Sequence, residues 1–191
     1  MHRTRRQSTI AIGCTTLAMG LGWGAISAAK IAPDKYTVKV AGGLAFAEFR
    51  GYEDWAVVAI SQNGGHFAAI VANPVMINAY RDGIPENGKP FPDGARMAKI
   101  HWTPRTDENQ PGKPVVPGAL ENVDFMVKDS KRFADSAGWG WAAFEYDKST
   151  GAFTPATAAN KPPQANDAKC GLACHTLAKT HDYVFTAYGK R

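Results

Sequence analysis

Apolar residues in this chain gather in short blocks with a period of two, separated by glycine- and proline-rich stretches, a pattern that predicts strands rather than long helices. The run Trp55-Ala-Val-Val-Ala-Ile-Ser61 is apolar almost throughout, as in a strand covered on both faces. His66 to Asn73 forms a second strand that stops at Pro74. Asn73 or Pro74 then opens a helix over Val75 to Arg81, ended by Asp82-Gly83. Arg96-Met-Ala-Lys-Ile-His-Trp102 is a third strand, in which Met97, Lys99 and His101 share one face and Ala98, Ile100 and Trp102 the other. Val123 to Asp129 alternates cleanly, and Gly140 to Asp147 follows a glycine-rich turn. The segment after His175 has helical composition as far as Thr180. Stretches 82–90, 103–117 and 154–167 read as long surface loops. The expected fold class is α+β, mainly an antiparallel sheet with a few flanking helices.

The first 29 residues follow a different rule. Arg3, Arg5 and Arg6 precede an uncharged apolar stretch from Ile10 to Ile26, and Ser27-Ala28-Ala29 supplies small residues for cleavage. Residues 1–29 are therefore expected to be a cleaved signal peptide, and residues 30–191 a single periplasmic domain with no membrane span. Cleavage also removes Cys14 and more than half of the net charge of +5. What remains is too nearly balanced to argue for a nucleic-acid partner.

Only Cys170 and Cys174 are then left, in Cys170-Gly-Leu-Ala-Cys174-His175. Two cysteines followed directly by a histidine suit covalent haem attachment: the thiols add to the vinyl groups and the imidazole ligates iron. The ordinary motif has two residues between the cysteines and this one has three, which an outward bulge of the intervening turn would absorb. Zinc is disfavoured, because no second Cys/His cluster completes a ligand set. A redox dithiol would prefer the shorter spacing. What lies opposite His175 decides between electron transfer and ligand chemistry. Met76, Met97, Met126, His66, His101 and His181 are the residues able to fill that position.

Further landmarks stand in order along the chain: Tyr52-x-x-Trp55, Gly88-Lys-Pro-Phe-Pro-Asp-Gly94, Lys99, Val127-Lys-Asp-Ser-Lys-Arg-Phe133, Cys174-His175 and Asp182-Tyr-Val-Phe-Thr-x-Tyr188. Together they resemble the cytochrome P-460 family over about Tyr52 to Tyr188. The resemblance implies a small, mostly β, homodimeric periplasmic protein with one haem c per chain and an open distal iron site. It implies Cys170 and Cys174 as thioether anchors, His175 as the proximal ligand and Lys99 as a residue cross-linked to the porphyrin. It also places Asp124 where the family has a catalytic glutamate, one methylene longer.

Two functions follow from that resemblance. In the first, the protein oxidises hydroxylamine to a nitrogen oxide, Asp124 takes up the protons, and electrons pass to a redox partner cytochrome. In the second, it binds or scavenges nitric oxide or another gas without turnover, like the β-sheet cytochromes c′, with Phe67, Phe125 and Phe144 forming an apolar cap.

Overall fold

The computed structural model describes residues 32–40, 43–156 and 168–191, with the backbone alone described for 168–170. The expected leader therefore lies outside the described residues. Six strands form one antiparallel sheet in sequence order: β1 (Ala56–Asn63), β2 (His66–Ala72), β3 (Arg96–Thr106), β4 (Val115–Lys128), β5 (Trp139–Asp147) and β6 (Ala152–Pro155). Two helices, α1 (Pro74–Arg81) and α2 (Ala168–His175), and several short 3-10 turns complete the described chain. The protein is thus mainly β, with helices that are few and short.

Helix α1 begins and ends where the sequence predicts. The Asn73 side chain accepts from the Met76 amide at 3.1 Å and Pro74 occupies the first turn. Both features satisfy a helix start without using an intrahelical donor. Gly83, at φ 84°, takes the left-handed turn that ends it.

Two expectations are corrected. Strand β1 is not covered on both faces: it is an edge strand paired only to β2, and Ile60 is 64% exposed. An apolar run alone does not distinguish an edge from a sheet centre. Much of the supposed loop 103–117 is also strand. β3 continues to Thr106 and β4 starts at Val115, so that only a short hairpin connects them. Pro104 and Pro117 sit opposite each other in this outer part of the ladder, beside register shifts that accommodate a residue with no amide hydrogen. Of the supposed loop 154–167, Thr154 and Pro155 close β6, and residues 157–167 lie outside the described part.

The two faces of the sheet do different work. On one, Phe46 and Phe49 from a 3-10 turn pack against Phe125 and Phe144, with Tyr52 and Phe153 beside them. Phe49 stacks on Phe125 with ring centres 4.0 Å apart, and Phe46 meets Phe144 at 4.8 Å. Such rings contribute through buried apolar area and through tilted or offset contacts. The other face carries Met97, Lys99, Asp124, Met126 and Trp141, and α2 packs there against β5.

One ion pair ties the C-terminal segment to this frame. Lys128, at the end of β4, donates to Asp182 at 2.9 Å, to both carboxylate oxygens, and to the Ala137 carbonyl at 3.0 Å. The side chains are only 7% and 12% exposed. Asp182 also accepts from the Phe91 amide at 2.8 Å. Removing one partner strands the other charge in a site with little access to water. Asp182→Ala should therefore cost about 3–5 kcal/mol in chemical denaturation. The double change Lys128→Met, Asp182→Leu should cost less than either single change.

Candidate functional site

Strands β3, β4 and β5 put their side chains on the second face in rows set by the register. Met97, Met126 and Trp141 form one row, then Lys99, Asp124 and Ala143, then His101, Asn122 and Glu145. Successive rows are two residues apart, or about 7 Å along the strands. Helix α2 and the segment after it lie over this face. Between them is a cavity of about 510 Å³, walled by Ile70, Met97, Met126, Trp141, Val184 and Phe185, with Lys99, Asp124, Cys174 and His175 also on its surface. An apolar cavity of that size with a few convergent polar groups is the ordinary form of a cofactor site.

His175 is held by its backbone-facing nitrogen. Its Nδ1 donates to the Tyr183 carbonyl at 2.6 Å, which fixes the tautomer and leaves Nε2 as the nitrogen able to bind a metal. The acceptor is presented by an unusual backbone: Asp182 and Tyr183 both have left-handed φ, at 49° and 64°. The Lys128–Asp182 ion pair holds that turn in place. The ring is flanked by Trp141 at 5.5 Å and Phe185 at 5.0 Å, measured between centres. Burial holds the imidazole below its ordinary pKa, and the charge of Lys99 acts in the same direction, against the bond to Tyr183 and the charge of Asp124. A neutral imidazole is the form that ligates iron.

The cysteine spacing finds a different solution from a bulge. Residues 170 to 175 all lie within α2, so positions 170 and 174 are four apart in one helix, just over one turn. The extra residue keeps the two positions on one side of a regular helix. Cys174 is a free, exposed thiol on the cavity wall. Gly171 lies where the helix crosses Trp141, and a Cβ there would strike the indole.

Lys99 and Asp124 are direct partners across the β3–β4 ladder, in the row beyond Met97 and Met126. Lys99 makes no hydrogen bond or ion pair among the described residues, so its amine is uncommitted beside an apolar wall. Asp124 is committed. Its Oδ2 accepts from His101 Nε2 at 3.0 Å and its Oδ1 from Asn122 Nδ2 at 3.0 Å. It stands in the interior of a 14-residue strand, not at a strand end.

Other sequence candidates separate cleanly. Met97 and Met126 line the cavity, in the row that contains Trp141, the neighbour of His175. Met76 is fully buried in α1. His66 and His181 are exposed and face Glu121 and Glu86. The expected phenylalanine cap does not form: Phe144 and the ring of Phe125 belong to the aromatic cluster on the opposite face. Trp141 and Phe185 are the aromatic walls instead. Asn122 went unread in the sequence, although its Asn-x-Asp spacing on a strand was a usable signal.

A porphyrin fits this donor set. The cavity has one half-buried imidazole with a free Nε2, an adjacent thiol, apolar walls and a glycine that lets the helix approach. Gly171→Ala should push α2 away from Trp141. The expected result is a loss of about 1–3 kcal/mol in thermal or chemical unfolding, with reduced haem incorporation on expression. Wild-type haem content would contradict this packing.

Among the described residues no helix is long and apolar enough to cross a membrane. No curated protein matches the chain. The family model for Cytochrome P460 matches residues 49–186, from the aromatic 3-10 turn to the last wall of the cavity. This chain belongs to the cytochrome P460 family of haem proteins.

Proposed function

We propose that this chain is an exported, periplasmic protein that carries one covalently attached haem c and oxidises hydroxylamine to a nitrogen oxide. The observation that carries the proposal is the joint placement of His175, Lys99 and Asp124 on one cavity, with a carboxylate held in the ladder row beyond the one that touches His175. Bound haem supplies a redox-active iron that takes a small nitrogenous ligand and relays its electrons to an external acceptor.

The residues of the chain divide that task. His175 presents Nε2 to the metal while Tyr183 holds the other nitrogen. Cys170 and Cys174 supply thioether anchors from one helix. Lys99 presents an uncommitted amine at the cavity wall and would be the third point of attachment for the ring. Asp124 is the proton acceptor, since oxidation of hydroxylamine releases protons that a carboxylate at the cavity wall can receive. Ile70, Met97, Met126 and Val184 keep water from the remaining surface.

The apolar share of that wall also suits a neutral gas, so nitric oxide binding without turnover is the second reading. Asp124 separates the two, because binding a neutral gas gives the carboxylate at the cavity wall no proton to take. Asp124→Asn should lower hydroxylamine-dependent reduction of an artificial acceptor on the order of a hundredfold, with haem content unchanged. Equal rates would remove Asp124 from the chemistry. The wild type should show a strongly red-shifted ferrous Soret band that Lys99→Arg abolishes; a wild type without that band would contradict the cross-link.

A further inference from the structure

Asp124 is not alone at the cavity wall. Its Oδ2 is bonded to His101 Nε2 at 3.0 Å, and because an ionised carboxylate can only accept, that nitrogen carries the hydrogen. The His101 side chain is 14% exposed, against 61% for His66, the next ring outward. The two imidazoles meet edge to face with centres 6.2 Å apart, and His66 Nδ1 is 2.8 Å from Glu121 Oε2. The β3–β4 register slips between His101 and Trp102, leaving Glu121 without an opposite residue and free to reach back to His66. A bulge that re-aims a side chain next to a site is a recurrent device. The result is a row of polar contacts along the outer part of this sheet face, carboxylate–imidazole–imidazole–carboxylate, in which His101 is the most enclosed ring and Asp124 is 44% exposed.

We propose that His101 is a positioning residue for Asp124, and that the two act as a single proton acceptor for ligands entering the cavity. This rests on the reading of the cavity as the haem site, and not on hydroxylamine being the substrate. With Asn122 on Oδ1 and His101 on Oδ2, the carboxylate is held in one orientation at the cavity wall. One proton leaves the incoming ligand and is held by the Asp124–His101 pair, whose charge rises by one. Among the described residues, Lys99 across the ladder, His175 across the cavity, Glu145 in the row of Asn122, and His66 with Glu121 outside it are charged or titratable groups around the pair. A proton taken by such a pair belongs to both members.

The test uses two ligands of the ferric holoprotein, followed by stopped flow. Cyanide arrives at neutral pH as protonated HCN and must give up its proton to bind, whereas nitric oxide has none to give. Asp124→Asn and His101→Leu should each slow cyanide association on the order of a hundredfold, and the double variant should be no slower than the worse single one. Nitric oxide association should stay within about twofold in all of them, because no general-base contribution is lost. His101→Gln, which keeps an N–H donor for Asp124, should recover part of the cyanide rate that His101→Leu loses. Wild-type cyanide rates in His101→Leu at every pH would overturn the proposal. So would equal slowing of both ligands, which would mean a distorted site, or fully additive losses in the double variant. Because cyanide is not oxidised, these outcomes stand whether or not the wild type turns over hydroxylamine.

Discussion

The hydrogen bond from His175 Nδ1 to the Tyr183 carbonyl is the constraint on which the site depends. It determines which imidazole nitrogen is left for a metal, and it fixes the ring between Trp141 and Phe185. The carbonyl is where it is because two consecutive residues, Asp182 and Tyr183, adopt left-handed backbone. Non-glycine residues hold that conformation at a cost and only when their surroundings enforce it. The enforcement comes from Lys128, which binds Asp182 at the end of the longest strand, and from the Phe91 amide on the same carboxylate. A buried ion pair contributes little net stability against an apolar substitute, but it specifies one arrangement. Here the arrangement it specifies orients the His175 imidazole.

A sheet with two unlike faces explains how so small a protein can hold a large cavity. The aromatic cluster around Phe46, Phe49 and Phe125 supplies stability on one side. The other face is therefore not required to close on itself, and β3, β4 and β5 can offer Met97, Lys99, Asp124 and Trp141 to a cofactor. The ladder spacing then orders the chemistry. The methionine row lies next to the row that touches His175, and the Lys99–Asp124 row lies one step further along.

Much of this was legible in the sequence, because period-two patterning and cap residues are local. The start of α1 at Asn73-Pro74 and the shared face of Met97, Lys99 and His101 follow from residue spacing alone. The edge position of β1 was not legible, since pairing partners are set by the whole sheet and an apolar run reads alike at edge and centre. The hairpin across residues 103–117 was obscured by prolines, which the register shifts accommodate. The order of landmarks pointed to the family. The partners of Asp124 were hidden for a different reason. Asn122 stands two residues before Asp124 on the same strand, but His101 is brought to it from β3 by the strand register, and no linear spacing encodes that pairing. The cysteine spacing was misread as a bulged turn because the usual motif was taken as the reference, whereas a four-residue step is regular in an α-helix.

The central claim is that this cavity holds haem through covalent bonds to the chain. Mass measurement of the purified holoprotein in denaturing solvent, before and after acid–acetone extraction, tests it most directly. The account predicts that every chain retains the mass of one haem after extraction. Complete removal of the haem, leaving the bare polypeptide mass, would contradict it.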